Sequence, residues 1–443
     1  MRKLEHRAVL LLVLALILFS GLAFFVFRYV TQGDDWAMKY YNMHVFKNGH
    51  LATGRIYDRK GILMADNTGK SIKFVDDQPT RMATAQVVGD GYGFVSTSAE
   101  SAFRDKLVGY NLLTGTYSVT GLGNDVHLSI DSDVCRTAYN ALGGREGLVA
   151  VYNNKTGQVL CMTSTPSFDP KDPPSAENAK SGTFMNKFIS GNLTPGSIFK
   201  LVTSAAAIEK IPKNELNKFS FNCTGVHEIK GVKIRCTQAH GEVDFEEALT
   251  KSCNGAFAEL SKKIGARSLR AYTRKCGLET SYDMNGVFNA KGSFEFPAND
   301  KVSTAWAGIG QWKDYLNPCS MLVYMGAIAS DGESVVPRLL SSSILKKKTK
   351  RMIKSSTAAK LRKMMKKNVT DNYGESNFPG LDIYAKSGTA EVAKQNPNAW
   401  FAGFIKNKDH PYAFIVCVEN SGFGSQVAGP VANTVLQYMV NGE

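Results

Sequence analysis

The chain is 443 residues long, enough for two or three domains and at least one large core. Its apolar share of 43% and aromatic share of 10% exclude an intrinsically disordered polypeptide. A formal net charge of +14 suits a surface that works beside anionic lipid or an anionic cell-wall polymer.

The N-terminal segment stands apart from the rest. Arg2, Lys3 and Arg7 precede the twenty uncharged residues from Ala8 to Phe27, and a helix of that length spans the hydrocarbon core of a bilayer. Positive charge before it and Asp34-Asp35 after it predict a cytoplasmic N-terminus and an extracytoplasmic body. A cleaved signal peptide would end in small residues. Here Phe24-Phe25-Val26-Phe27-Arg28 is bulky, which predicts an uncleaved anchor over residues 1–30. No second apolar run of that length follows, so the expected product is a single-pass protein of the cell membrane. Outside the cytoplasm nucleic acid is not an expected partner, and the basic runs at Lys346–Lys354 and Arg362–Lys367 read as solvated faces.

After the anchor, Trp36 to Tyr41 predicts a membrane-proximal helix with interfacial aromatics. Gly54 to Leu63 predicts strand, turn and strand, and residues 31–144 together predict a small α+β pedestal module. The large domain is expected over 145–443. Leu148–Tyr152 and Gln158–Met162 around Lys155-Thr156-Gly157 predict a β-hairpin that opens it. Helices are expected over 197–211, 245–249, 255–264, 320–329 and 357–367, strands over 381–391, 398–406 and 412–419, and a closing helix over 429–440. Strands at both ends with helices between them predict one antiparallel sheet with helices on its faces.

The eight cysteines include no Cys-x-x-Cys pair, so no metal site is expected. Cys223 and Cys236 flank a predicted hairpin through Gly231 and form a candidate disulfide, which over so short a loop contributes about 3 kcal/mol. The other cysteines sit in apolar settings and read as core thiols.

Three polar motifs carry the chemistry. Ser197-Ile198-Phe199-Lys200 follows Thr194-Pro195-Gly196, a helix-start signal. On a helix, residues three apart share a face at about 5–6 Å between Cβ atoms. A serine needs a neighbouring base to become a nucleophile, and a lysine serves once burial or nearby cations lower its pKa. Ser343-Ile344-Leu345-Lys346 has the same spacing but lies in a polar, basic run with no helix-start signal, so it reads as a solvated segment. Ser252-Cys253-Asn254 opens a predicted helix, and Lys386-Ser387-Gly388-Thr389 lies in a predicted strand. Further copies of the two short patterns, Ser190-Gly191-Asn192, Lys155-Thr156-Gly157 and Lys180-Ser181-Gly182, lie in turn-like contexts and all precede Ser197.

Ser-x-x-Lys, Ser-x-Asn and Lys-[Ser/Thr]-Gly in this order resemble the signature of the penicillin-recognising serine enzymes. The flanks resemble the transpeptidase domain of class B penicillin-binding proteins: Thr194-Pro195-Gly196, Gly308-Ile309-Gly310-Gln311, Leu316-Asn317-Pro318, Trp400-Phe401-Ala402-Gly403-Phe404 and Pro166-Ser167-Phe168-Asp169-Pro170. The resemblance covers roughly 145–443, and Gly54-Arg55-Ile56-Tyr57-Asp58-Arg59-Lys60-Gly61 resembles that family's N-terminal part. It implies an α+β fold with a five-stranded antiparallel sheet between helices and a membrane-anchored peptidoglycan D,D-transpeptidase without a cofactor.

The resemblance also implies roles. Ser197 is the nucleophile and Lys200 its base. Ser252 relays a proton, Asn254 holds Lys200 and the substrate amide, and Lys386 supplies a fixed charge that depresses the Lys200 pKa. Ser387 and Thr389 bind the substrate carboxylate, and Gly388 lets substrate lie along the strand. The backbone N–H groups of Ser197 and Thr389 form the oxyanion hole. The implied partners are D-Ala-D-Ala stem peptides, an acceptor amine, β-lactams and a polytopic glycan polymerase of the SEDS type. A β-lactamase would need a base aimed at water; Glu295-Phe296-Pro297-Ala298-Asn299 has a matching spacing but lacks the leucine expected at its fourth position, so it reads as a loop. A DD-carboxypeptidase shares the chemistry, but the anchor and flanks favour transpeptidation. A sensor or scaffold and a glycosyltransferase are the less favoured readings.

Overall fold

A computed structural model describes residues 2–37, 46–47, 50–51, 54–69, 71–109, 123–342 and 346–442. Part of the expected membrane-proximal helix, residues 38–41, and Ser343, Ile344 and Leu345 of the second Ser-x-x-Lys copy lie outside them. Backbone contacts divide the chain into two compact units.

The first unit comprises residues 1–56, 65–73 and 103–126. It carries helix α1 (Arg2–Ala37), within which Glu5–Thr31 is apolar and long enough to cross a membrane, with none of it buried against protein. Elsewhere in this unit the Gly54 N–H donates to Leu107 O at 2.9 Å. Arg55 pairs with Asp66 at 3.3 Å, and Asp66 also accepts from the Thr68 hydroxyl at 2.6 Å.

The second unit comprises residues 57–64, 74–102 and 127–443. Its centre is a five-stranded antiparallel sheet of β1 (Gly147–Asn153), β2 (Val159–Thr165), β3 (Ile383–Ala390), β4 (Asn398–Ile405) and β5 (Tyr412–Val418). The spatial order is β3-β4-β5-β1-β2, so the strand carrying Lys386 to Thr389 is an edge. Every residue of β4 is buried, as a central strand covered on both faces requires. The expected 148–162 hairpin is present as β1 and β2. Asn153 Oδ1 accepts the Lys155 and Thr156 N–H groups in its turn.

Helices α2 (Gln78–Val88), α3 (Ser132–Leu142), α4 (Lys200–Lys210), α5 (Asn254–Ile264), α6 (Pro318–Ala329), α7 (Ser355–Asn368) and α8 (Gly424–Asn441) follow in chain order. α2 and α3 pack on β2, α8 on β4 and β5, and α6 on β4, β5 and β1. α6 is apolar nearly all round and buried from Pro318 to Ile328, the pattern of a core helix. Its N-cap, Asn317, accepts the Cys319 and Ser320 N–H groups and donates to Ile189 O and Gly191 O at 2.9 Å.

Two boundaries differ from expectation. The closing helix begins at Gly424 rather than 429 and carries Pro430 inside it. A Cβ at 424 would lie 2.2 Å from Trp400 O and 2.3 Å from Gly388 O, so close packing on the sheet selects that glycine and starts the helix there. The helix expected over 197–211 is split: Gly196–Phe199 is a 3-10 turn and the α-helix starts at Lys200.

Between α4 and α5 the chain makes two short ribbons. Ser220–Cys223 pairs with Gly241–Asp244, and Val226–Ile229 pairs with Val232–Arg235. The second turns through Lys230 and Gly231, both at positive φ (49° and 80°), the tight hairpin geometry that the Gly231 signal predicts.

Candidate active site

The 3-10 turn sets the relation of Ser197 to Lys200. With three residues per turn, side chains at i and i+3 eclipse one another, so both point to the same side of the helix entry. The turn is clamped. Gly196 takes φ +55° and its N–H donates to Gly310 O at 2.8 Å. Trp400 Nε1 donates to Thr194 O at 2.9 Å. Ser197 is part-exposed and lines a cavity of about 480 Å³, whereas Lys200 is fully buried.

Lys200 Nζ donates to Ser252 O at 2.7 Å, to Asn254 Oδ1 at 2.6 Å and to Ser252 Oγ at 3.3 Å. The Phe257 ring lies beneath it at 5.5 Å. Lys386 Nζ, also fully buried, donates to Ser252 Oγ at 3.0 Å and to Ser387 O at 2.9 Å. Ser252 Oγ therefore lies within hydrogen-bond reach of both lysines. Ser252 itself takes φ +52°, a left-handed conformation that costs a non-glycine residue about 1–3 kcal/mol unless its surroundings hold it. Here the Ser252 N–H donates to Leu249 O and the Cys253 N–H to Ala248 O.

Burial lowers the Lys200 pKa to about 8, against an opposing pull from Cys236 and Cys253. Lys386 is held well below its ordinary value, first by burial and then by the charge of Lys200. Two ammonium groups sharing one hydroxyl in a dry site cannot both stay charged. Burial is the leading cause for both lysines, and the charge of Lys200 adds to it for Lys386. A neutral Lys200 amine has two N–H donors, matched by Ser252 O and Asn254 Oδ1, and keeps one lone pair to receive a proton.

β3 supplies the facing wall. Side chains alternate across it, with Lys386 and Gly388 buried and Ser387 and Thr389 lining the cavity. The Ser387 N–H points away from β4 and donates to Tyr373 Oη at 2.8 Å. By the two-residue repeat of a strand, the Thr389 N–H points to the same open edge. A Cβ on Gly388 would lie 3.0 Å from Trp400 Cβ and 3.1 Å from both Ile198 Cγ2 and Pro195 O. The glycine thus seats the Ser197 turn against the sheet.

Residues 147–437 match the model of the penicillin-binding protein transpeptidase domain. The chain belongs to that family. It is 26% identical over 420 residues to the peptidoglycan D,D-transpeptidase PbpA of Mycolicibacterium smegmatis, covering 84% of this chain and 85% of that protein. It is 28% identical over 348 residues to stage V sporulation protein D of Bacillus subtilis, covering 71% of this chain and 53% of that longer protein, so it spans about half the length of that relative. Among solved structures, penicillin-binding protein A from M. tuberculosis as a ceftriaxone acyl-enzyme complex superposes with a TM-score of 0.77 at 23% identity, over 88% of this chain and 98% of that chain. That likeness establishes the fold.

Of the expected site residues, Ser197, Ser252, Asn254, Ser387 and Thr389 line one cavity, and Lys200, Lys386 and Gly388 are buried beside them. The earlier copies at Ser190, Lys155 and Lys180 do not line it. Nor does Glu295, which is half-exposed and pairs with Lys313 at 3.0 Å. Asp169 of the Pro166–Pro170 flank accepts from Arg81 at 2.8 and 2.7 Å and from the Lys171 N–H at 3.0 Å.

Two features escape the sequence. Tyr373 ends a single π-helical turn and also donates to Ser387 Oγ at 3.0 Å; its only sequence cue is the polar Asp371-Asn372-Tyr373-Gly374 loop. The second concerns sulfur. Cys223 and Cys236 meet, but as free thiols 3.7 Å apart, beyond the ~2.05 Å of a disulfide bond. Cys253 and His240 share the same cluster, with all four ligand atoms within 4.8 Å of one another. The hairpin spacing pointed to Cys223 and Cys236 alone, and Cys253 and His240 join them only in the fold.

Proposed function

We propose that the chain is a membrane-anchored serine D,D-transpeptidase that cross-links peptidoglycan stem peptides and is acylated by β-lactams. The observation that carries this reading is the placement of Ser252 Oγ, within hydrogen-bond reach of Lys200 and Lys386, on a cavity lined by Ser197, Ser387 and Thr389.

The steps follow from that geometry. Neutral Lys200 takes the proton of Ser197 as its Oγ attacks the carbonyl of the penultimate D-Ala. The oxyanion is received by the N–H groups of Ser197 and Thr389, and a donor of this kind is worth about 10²–10³ in rate. Ser252 Oγ passes a proton towards the leaving D-Ala nitrogen, so the C–N bond breaks as an amine departs and the acyl-serine remains. An acceptor amine then attacks the ester, gives its proton back through Lys200 and frees Ser197. Ser387 and Thr389 hydroxyls hold the terminal carboxylate beside the Lys386 ammonium, and Asn254 fixes Lys200 and the substrate amide. The open edge of β3 suits an extended peptide added as a strand. Residues 1–30 anchor the chain with the N-terminus inside, residues 31–144 act as a pedestal, and the glycan strands come from a polytopic SEDS-type polymerase.

Intact-mass measurement after penicillin tests this reading. The wild type and Ser343→Ala gain one adduct and Ser197→Ala gains none. An adduct that persists for many minutes fits transfer to an amine, whereas turnover within seconds would make the enzyme a β-lactamase. An adduct on Ser197→Ala would remove the assignment altogether.

A further inference from the structure

The cluster on the cavity wall facing β3 is more than a set of neighbouring thiols. We propose that Cys223, Cys236, His240 and Cys253 bind one zinc ion, and that this ion positions the turn carrying Ser252 and Asn254.

The distances fit a tetrahedron. Zinc–sulfur bonds of about 2.3 Å and zinc–nitrogen bonds of about 2.0–2.1 Å place tetrahedral ligands about 3.8 Å apart for two sulfurs and about 3.6 Å apart for sulfur and nitrogen. Cys223 Sγ lies 3.7 Å from Cys236 Sγ, Cys236 Sγ lies 3.8 Å from Cys253 Sγ, and Cys223 Sγ lies 3.4 Å from His240 Nδ1. The remaining separations stay within 4.8 Å. Three thiolates and one imidazole make the closed Cys₃His set of a structural zinc site, and soft sulfur ligands select zinc over hard cations.

The surroundings support sulfur in its thiolate form. The Asn254 N–H donates to Cys236 Sγ at 3.2 Å and the Ala256 N–H to Cys253 Sγ at 3.5 Å, both at the start of α5. Backbone donors of this kind orient the sulfurs that bind a metal. Cys223 and Cys253 are buried, while Cys236 and His240 line the cavity, which gives an ion a route in. A Cys223–Cys236 disulfide would consume two of the four groups and leave Cys253 and His240 without a shared partner.

The position gives the ion a task. Cys253 is the middle residue of Ser252-Cys253-Asn254, so its bond to zinc fixes the residue after the left-handed Ser252 and the residue before Asn254. Cys223 ends a strand of one ribbon, and Cys236 and His240 lie in the link from Arg235 to Gly241 that joins the two ribbons, so zinc ties those ribbons to the turn that touches Lys200. Binding exchanges three S–H protons, released to solvent, for three zinc–sulfur bonds and one zinc–nitrogen bond, with no change of oxidation state.

The test uses the full chain in detergent. Elemental analysis is expected to find about one zinc per chain, falling to a small fraction in Cys236→Ser. Exchange of zinc for cobalt is expected to give the visible bands of a tetrahedral centre with thiolate charge transfer. In His240→Ala, which keeps three thiolates, those bands shift. Removing zinc with a chelator slows penicillin acylation by about tenfold, and added zinc restores it, the scale set by loss of metal-site support. Purified wild type without zinc and without a thiolate–cobalt spectrum, or with a Cys223–Cys236 disulfide by mass, overturns the proposal. So does zinc content unchanged by Cys236→Ser. Ser197→Ala separates this inference from the enzymatic one, since it retains full zinc while losing the penicillin adduct.

Discussion

The two walls of the cavity are held by different physics. On one side β3, Gly196 and Gly310 are fixed by backbone packed against backbone: a Cβ on Gly310 would lie 2.0 Å from Gly196 O, and one on Gly196 would lie 2.8 Å from Thr389 O. On the other side the Ser252 turn is held by side-chain groups, two lysine ammonium-type donors and a knot of sulfur. Ser197 thus sits on a wall with almost no freedom to adjust, while Ser252 and its partners sit on a wall whose position depends on what the side chains bind. A reaction that must seat first a peptide and then an acceptor amine benefits from having the adjustable groups on one side only.

Paired glycine substitutions give the sharpest break of this contrast. Gly310 and Gly231 share φ +80°, so an alanine meets the same backbone strain at both. Around Gly231, in the ribbon wall, a Cβ meets nothing within 4 Å. Gly231→Ala is expected to cost about 1 kcal/mol and leave penicillin acylation within about twofold. Gly310→Ala pushes the nucleophile turn off the sheet and is expected to cost more than about 3 kcal/mol and slow acylation by at least about a hundredfold. Thermal unfolding and acylation rates read both; equal losses in the two variants would show that the walls are not held differently.

The next effect is pH. In the proposed mechanism Lys200 is neutral when it accepts the Ser197 proton, and burial lowers its pKa to about 8. Below that value the neutral fraction falls tenfold per unit, so the second-order acylation rate is expected to rise about tenfold per pH unit up to about 8 and then level off. A flat profile between pH 6 and 9 would show that the proton does not go to a lysine in this site. Asn254→Ala removes one acceptor of the Lys200 ammonium and is expected to move the midpoint down, while Gly231→Ala leaves it in place.

The contrast also explains what could be read in advance. Ser197, Lys200, Ser252, Asn254 and Lys386 to Thr389 were legible because their residue types and order carry the chemistry directly, and the sheet was legible because its strands alternate or run apolar. The reason for Gly388 was not: it depends on Ile198, Pro195 and Trp400, which reach it only in three dimensions. The start of α8 lies five residues before the expected 429, because the packing of Gly424 on Trp400 sets the boundary. The sulfur cluster as a whole was hidden for the same reason. Two of its members, Cys223 and Cys236, were legible as a hairpin pair, but the pairing of Ser220–Cys223 with Gly241–Asp244 that brings His240 to them, and the approach of Cys253, exist only in the fold.

The smallest effect concerns the open edge of the rigid wall. Tyr373 is buried and its hydroxyl pKa is pushed up to about 12, first by burial, so it stays protonated over the working range and donates to Ser387 Oγ while accepting the Ser387 N–H. Tyr373→Phe removes both bonds and keeps the ring, which packs edge-on against Phe401 at 5.4 Å. Loss of neutral hydrogen bonds of this kind is worth about 1 kcal/mol, or about fivefold in rate. The loss is expected in the affinity for penicillin, because the proposed mechanism has Ser387 hold the carboxylate, and not in the pH midpoint, because Lys200 is untouched. A shifted midpoint with unchanged affinity would mean that Tyr373 acts on the lysine pair through Ser387 O and Lys386, and the two walls would then be coupled rather than separate.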